Sequence, residues 1–165
     1  MDDLSIIEVQ SDLPDFPSKK SIPYQTLLLS RLMMADFLAR LGETGIAPAQ
    51  AFVLRELWRE EPLSQVEISQ RLDIGKATVG QSLKRLERNG YVERRRSSTD
   101  ARVVVVQLTA KGHALRAPLG QAARAQVAEI AAVLGPVDAE NLARLLDKLV
   151  VDQRARVGRP EPDWD

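Results

Sequence analysis

The sequence predicts a mainly helical protein with one β-hairpin, and three observations support this prediction. Leucine and alanine recur at helical spacing through much of the 165-residue chain. A short helix and a longer one are predicted on either side of the turn Asp73-Ile74-Gly75. Two extended runs follow, joined by the polar residues 97–101. A hairpin directly after a helix-turn-helix forms a wing, so we predict a winged helix-turn-helix with a two-stranded β wing.

The chain before this unit is predicted to hold an arm and two helices. Residues 1–18 contain five acidic residues and no lysine or arginine, so residues 1–21 are expected to form a flexible acidic arm. A serine followed by Pro23 is typical of a helix start and predicts a helix over about 24–41. Pro48 then opens a second helix to about residue 60.

The helix-turn-helix is predicted from its capping residues and from one buried face. Ser64 and Glu67 fit a capping box, which opens a short helix over about 65–71. The second helix is predicted over about 76–89, with a glycine as its C-terminal stop. Its apolar residues fall within about 60° of one another and predict its buried side; they are Val79, Leu83 and Leu86.

The hairpin and the C-terminal helices complete the prediction. Strands are expected over 91–96 and 102–108, with arginines on the first and a valine run on the second. Thr109 can cap a helix to about residue 134 in which Pro118 introduces a kink. Gly135-Pro136 breaks the chain before a final helix that ends at about residue 156, and residues 158–165 are expected to be a flexible tail.

Composition narrows the classes of function. The absence of cysteine excludes thiol chemistry and disulfides, and a single histidine, His113, argues against a zinc site. No apolar run reaches the ~18–20 residues needed to cross a bilayer, and the acidic N-terminus is unlike a secretory signal, so a cytoplasmic protein is expected. No nucleophile–base pair or phosphate-binding loop is present, and we predict neither an enzyme nor a cofactor.

Charge is segregated along the chain although the net charge is zero. Residues 71–102 hold nine basic residues against four acidic ones. Such density is typical of a surface that meets nucleic acid, although a solvated basic surface would have the same composition. A major groove about 12 Å wide admits one helix, whose leading residues reach base edges while later cations meet phosphates.

The residues predicted to contact DNA lie on the second helix of the helix-turn-helix and on the wing. Gln81 could pair with adenine, and the methyl group of Ala77 or Thr78 could touch thymine. Arg102 is placed to enter a minor groove, and Asp100 either hydrogen-bonds within the turn or orients an arginine. One of the arginines at 94–96 should be dispensable, because side chains alternate along a strand. The full predicted set is Lys76, Ala77, Thr78, Gln81, Ser82, Lys84, Arg85, Arg88, Arg94, Arg96, Ser98, Asp100 and Arg102.

Three segments together resemble the MarR family of winged helix-turn-helix regulators. They read IAPAQAFVLREL, SQVEISQRLDIGKATVGQSLKRLERNGYVERRR and TDARVVVVQLTAKG, and the resemblance covers about residues 22–156. It implies a homodimer formed by helical regions 22–47 and 110–157, with a DNA-binding domain at 48–109. It also implies a pseudo-palindromic DNA operator, with Arg102 in the minor groove. The wide apolar stripes of the terminal helices independently favour a dimer.

The resemblance further implies a small anionic or aromatic effector between the dimerisation helices and the winged domain. Arg31 lies on the predicted apolar face of the first helix, with Tyr24 two turns earlier, and both are candidate effector-binding residues. A salt bridge or a solvent-reaching side chain would also explain Arg31. The sequence thus predicts a DNA-binding, ligand-responsive repressor that acts as a homodimer. A winged-helix module that binds another protein is the alternative.

Overall fold

The structure, a computed structural model, describes residues 18–159 apart from the side chain of Glu43. Most of the predicted acidic arm (1–21) and of the predicted tail (158–165) therefore lies outside the described residues. The elements confirm the mainly helical winged helix-turn-helix. In chain order they are α1 (Ile22–Leu41), α2 (Pro48–Arg59), β1 (Leu63–Ser64), α3 (Gln65–Leu72), α4 (Lys76–Arg88), β2 (Val92–Arg96), β3 (Val104–Leu108), α5 (Ala110–Ala114) and α6 (Arg116–Arg156).

The sheet has three strands rather than the predicted two. The hairpin pairs β2 with β3 in antiparallel register, with Val92 opposite Leu108 and Arg96 opposite Val104. The two-residue strand β1 adds to the other side of β3 and places Leu63 opposite Val106. A strand of two residues is too short to show the alternation by which a sequence predicts a strand, so this third strand escaped prediction.

The winged lobe, residues 46–109, has its own apolar core. Its most deeply buried side chains come from α2, α3, α4 and the sheet, and are Val53, Leu54, Leu57, Leu63, Ile68, Val79, Leu83, Leu86 and Val106. The valine run of the wing is divided accordingly, since Val103 and Val104 are exposed while Val106 is buried. Val104 and Val106 share one face of β3, and they differ because Val104 lies opposite Arg96 towards the wing tip, whereas Val106 lies opposite Leu63 in the core.

The helical region consists of α1 and α6, which pack against each other through polar contacts as well as apolar ones. Arg40 bridges Asp36 of its own helix and Glu129 of α6, at 2.8 and 2.5 Å. The side-chain amide of Gln126 donates to the carbonyl oxygen of Met33 at 2.7 Å and to Asp36 at 2.9 Å. The hydrogen bond from Arg40, helped by that from Gln126, holds the pKa of the Asp36 carboxyl below its ordinary value.

The helix predicted from Thr109 to about residue 134 begins as expected but is divided earlier. The Thr109 hydroxyl accepts from the Gly112 amide at 3.1 Å and caps α5. The division between α5 and α6 falls at Leu115, because Pro118 has no N–H to donate to the carbonyl of residue 114. The predicted break at Gly135 is confirmed, with φ 74° and ψ 164° inside α6. We call residues 136–156 the distal half of α6.

Candidate nucleic-acid interface

The helix-turn-helix is fixed by side chains at the start of α3. The Ser64 hydroxyl accepts from the Glu67 amide at 3.2 Å, and the Glu67 carboxylate accepts from the Ser64 amide at 2.6 Å, as the predicted capping box requires. Hydrogen bonding of the Glu67 carboxylate to the Ser64 side chain, and then to the Ser64 amide, lowers the pKa of Glu67 from its ordinary value. The side-chain amide of Gln65 donates from Nε2 to the carbonyl oxygen of Lys76 at 2.8 Å. Gly80 leaves room for the Gln65 side chain, since a Cβ at Gly80 would lie 2.9 Å from Gln65 Nε2.

Helix α4 buries one face and leaves the other open, as the sequence predicts. Val79, Leu83 and Leu86 are buried in the winged core. The Ser82 side chain joins them at 7% exposure, so the free chain does not present it to a ligand, and its role as a DNA contact stays a prediction. The exposed face carries small or polar residues in its first turns and cations later on, as recognition helices do. The residues exposed there are Lys76, Ala77, Thr78, Gln81, Lys84, Arg85 and Arg88.

The wing tip presents Arg102 in a defined orientation. Its side chain is 91% exposed, yet its Nε and Nη2 donate to the two oxygens of Asp100, each at 3.1 Å. The Arg102 amide also donates to Asp100 Oδ1 at 2.9 Å. These bonds from Arg102 lower the pKa of the Asp100 carboxyl. Asp100 therefore orients the arginine, which agrees with the prediction that Asp100 positions a neighbouring cation.

The three consecutive arginines of β2 have different environments. Arg94 is half-buried, and its Nε lies 3.2 Å from Oε2 of Glu87 on α4, so it attaches the wing to the recognition helix. Arg95 pairs with Glu93 of its own strand. Arg96 donates from Nη1 to the carbonyl oxygen of Ala101 at 2.8 Å and stays exposed near the wing tip, where Ser98 is exposed too. This geometry favours Arg96 over Arg94 as a contact to an external ligand.

The end of α4 is held by α5. Lys111 Nζ donates to the carbonyl oxygen of Asn89 at 2.9 Å and lies 4.6 Å from the centre of the Tyr91 ring. A cation at this end complements the negative pole of the helix. Gly112 packs so closely against the Tyr91 carbonyl that a Cβ at Gly112 would overlap it. The recognition helix is therefore fixed at both ends, by Gln65 at its start and by α5 at its end.

A large cleft lies between α1, α2 and α6. Its volume is about 940 Å³, and most of its wall is apolar, including Phe37, Phe52 and Trp58. Sequence reasoning missed the charged residues of this cleft, which come from α2 and α6 and are Arg55, Arg59, Arg116 and Arg124. The spacing of Arg55 and Arg59, one helical turn apart, shows that they share a face of α2. It does not show what faces them.

Tyr24 and Arg31, the predicted effector-binding residues, are exposed and do not line this cleft. Helix α1 turns Met33 and Phe37 toward the cleft instead. Because α1 is apolar on nearly every side, its periodicity could not select the face that meets the cleft.

Among residues 18–159 no cluster of three or more histidine or acidic side chains is arranged to hold a metal ion. His113 is exposed, and its Nε2 lies 3.1 Å from Glu61 Oε1. Within the same described stretch, no helix is both long enough and apolar enough to span a membrane.

Comparison with known proteins agrees with this geometry. The sequence profile of the MarR family matches residues 44–103. The chain is 46% identical over 67 residues to the regulator TtmR of Methylorubrum extorquens. The matched segment makes up 41% of this chain but only 34% of TtmR. It is 35% identical over 101 residues to the regulator MgrA of Staphylococcus aureus, covering 61% of this chain and 67% of MgrA. The solved structure of the repressor CouR with a 23-mer DNA duplex is 28% identical, with a TM-score of 0.69 over 80% of this chain and 94% of CouR.

Helix α4, followed directly by the β2–β3 wing, defines a winged helix-turn-helix protein. The chain belongs to the MarR family, as its sequence resemblance indicated.

Proposed function

We propose that this chain regulates transcription as a ligand-responsive repressor and binds a pseudo-palindromic operator as a homodimer. One observation carries the DNA-binding part: the exposed face of α4 ends in cations and is followed directly by a wing with a fully presented arginine, Arg102. A DNA complex of the related repressor CouR supports the same use of the fold. The proposed contacts are Lys76, Ala77, Thr78, Gln81, Lys84, Arg85, Arg88, Arg96, Ser98 and Arg102, with Asp100 as the group that orients Arg102.

The division of labour follows from chemistry. Gln81 and the small side chains before it can read base edges in the major groove, while Lys84 and Arg88 further along the helix neutralise phosphates. Arg102 at the wing tip can enter a narrowed minor groove, where the negative potential is concentrated. Asp100 itself does not contact phosphate, since like charges repel, and its role is to hold Arg102.

The proposed homodimer is supported by apolar side chains that are exposed to solvent in the single chain. Leu145, Leu146 and Leu149 on the distal half of α6 are 40–49% exposed, and Leu27 and Leu32 on α1 are exposed as well. Large apolar side chains exposed in this number on the two helices outside the winged lobe are typical of an interface. A two-fold dimer also brings two recognition helices to successive major grooves, about 34 Å apart along the duplex.

DNA binding is tested by fluorescence anisotropy with duplexes from the region upstream of the gene, over a range of salt concentrations. We expect preference for a palindromic segment and affinity that falls steeply with salt, because bound cations release counterions. Arg102→Ala should weaken binding about tenfold or more, as expected for one groove contact. Arg144→Ala, which removes an exposed charge from the distal half of α6, is the matched control and should bind normally. Salt-independent binding without sequence preference would favour the protein-interaction module instead.

The ligand-responsive part of the proposal rests on the arginine-lined cleft. A small molecule with an apolar body and a carboxylate complements an apolar wall that carries Arg116 and Arg124. A ligand there releases DNA to the extent that it prefers a spacing of the two lobes that does not fit the operator.

The effector site is tested with benzoate and 2-naphthoate as probes in an operator-release titration. The double variant Arg116→Gln/Arg124→Gln should need about tenfold more ligand for half release, as loss of a charge-assisted contact implies. Arg31→Ala, whose side chain is outside the cleft, should respond at unchanged concentrations. The opposite result would support the sequence-based choice of Arg31. Operator binding that no aromatic carboxylate alters would contradict the proposed ligand class.

A further inference from the structure

The turn between α3 and α4 is joined to the C-terminal end of α6 by two ion pairs on one carboxylate. Asp73 in the turn pairs through Oδ2 with Nη1 of Arg154, in the last turns of α6. Its other oxygen, Oδ1, lies 2.8 Å from Nη1 of Arg159, just beyond the helix. The Arg154 side chain is 15% exposed and that of Asp73 is 26% exposed, so the contact is shielded from much of the solvent. We call these three residues the Asp73 clasp.

The backbone of Asp73 shows that its side chain is not incidental to the turn. With φ 54° and ψ 30°, Asp73 is the one non-glycine residue at positive φ among those the structure describes. Glycine adopts this conformation at lower cost and is the usual residue after a helix. The turn is already fixed by Ser69, whose hydroxyl donates to the Ile74 carbonyl oxygen at 2.6 Å. An aspartate here therefore adds a carboxylate that the turn itself does not need.

The clasp acts on the recognition helix because of where it lies. Asp73 precedes Lys76, the first residue of α4, by three positions. The winged lobe is also attached to the helical region by apolar contacts. Three side chains of the helical region belong to the core of the lobe, namely Leu41 of α1 and Leu119 and Ala122 of α6. These apolar contacts use the beginning of α6, whereas the clasp uses its end. Two attachments at opposite ends of one bent helix restrict rotation of the lobe more than either does alone.

We propose that Asp73, held by Arg154 and Arg159, is a positioning residue that sets the angle of the recognition helix relative to the dimerisation helices. In the proposed homodimer this angle fixes the separation of the two recognition helices, and hence the operator spacing that the protein accepts. The inference rests on the proposed function, since only a dimer on a two-part operator has such a spacing to select. The clasp makes no DNA contact of its own in this mechanism.

The experiment compares operator duplexes of the selected spacing with duplexes in which one base pair is inserted or removed between the half-sites. The native protein should bind the selected spacing much more tightly than either alternative. Asp73→Asn keeps a residue that tolerates positive φ but removes the charge. We expect its preference for the selected spacing to fall about fivefold, the upper range for a partly exposed ion pair. Arg159→Gln should shift the preference less and in the same direction, and the double variant should behave like Asp73→Asn alone, because that change already breaks both ion pairs.

Controls separate positioning from stability. Asp152→Asn breaks an ion pair with Arg156 on the same stretch of α6, and it should leave the spacing preference unchanged. Thermal unfolding is measured for each variant. If Asp73→Asn weakens binding to all spacings equally, in step with a lower Tm, the clasp is only a stabilising contact and the proposal is wrong. A native protein that selects one spacing, with an Asp73→Asn variant that selects it equally well, also overturns the clasp but leaves the proposed function intact. A native protein that binds no duplex overturns both.

Discussion

The winged lobe and the helical region bury their apolar side chains to very different extents. In the lobe, the leucines of α2 and α4 are almost completely enclosed, with Leu54, Leu83 and Leu86 at 0% exposure. In the helical region, α6 has 41 residues but buries only Leu119 and Ala122, and α1 buries only Leu41. All three of these lie where the helical region meets the lobe and belong to the core of the lobe.

The winged lobe buries its apolar side chains within one chain, whereas the helical region leaves most of its apolar side chains exposed. The lobe has a core, a sheet and capped helices of its own, and its shape is set by those contacts. The leucines of α1 and α6 expose apolar surface to solvent. Burying this surface against a second copy would stabilise the region by about 25 cal/mol per Å² buried. We propose that the lobe carries the surface that reads DNA and that the helical region carries the surface on which the dimer forms.

The largest effect is expected from a cavity in the lobe. Leu54→Ala should lower the free energy of unfolding by about 2–5 kcal/mol, because the fully buried side chain leaves a void that its neighbours fill only in part. Phe52→Ala, on the same helix but 41% exposed, should cost less than half as much. Denaturant unfolding at several protein concentrations measures both. Equal losses would show that the lobe is not packed as described.

Substitutions in the distal half of α6 should change the stability of the single chain less than Leu54→Ala does. They should, however, strongly weaken the proposed dimer. Leu145→Glu combined with Leu149→Glu should raise the dimer dissociation constant at least about a hundredfold, since two carboxylates would enter an apolar contact. Arg144→Glu, on the opposite side of the same turns, is the control and should assemble normally. Light scattering during size-exclusion chromatography gives the result. A double variant that remains dimeric would place the interface elsewhere and weaken the contrast between the two regions.

The smallest effect concerns pH and the capping box of α3. The pKa of Glu67 is lowered from its ordinary value of 4.5, so the charged form stabilises the folded lobe above that pH, and this contribution is lost as the pH falls through the lowered pKa. Glu67→Gln keeps the hydrogen-bonding shape but removes the charge, and should cost about 0.5 kcal/mol at pH 7. The cost should disappear in acid below the lowered pKa. A difference that is the same at both pH values would mean that shape rather than charge is responsible.

Local signals predicted most of the fold. The capping box, the glycine stops and the apolar face of α4 are determined by neighbours within a few residues, and all were found. The burial of Ser82 is also predictable from the helix, because at 100° per residue Ser82 lies about 60° from Val79, on the buried side.

The remaining features depend on how distant segments meet. The ion pair of Arg94 with Glu87 follows from the crossing of the wing over α4, which no local pattern encodes. The cleft draws its arginines from α2 and α6, and the face of α1 that joins them could not be chosen from an all-round apolar helix. In the Asp73 clasp, Asp73 and Arg154 are 81 positions apart in the sequence, so no local pattern predicts their contact.

The pairing of Arg102 with Asp100 has a consequence for the thermodynamics of groove insertion. A free arginine side chain has about 2 kcal/mol of rotamer entropy to lose when it is immobilised. Hydrogen bonds from its amide, Nε and Nη2 to one carboxylate already restrict those rotamers in the unbound protein. Part of the conformational entropy of the Arg102 side chain is therefore lost when the wing folds, and less remains to be lost when the protein binds its operator. Asp100→Ala should then leave the charge of Arg102 in place and still make its insertion entropically less favourable.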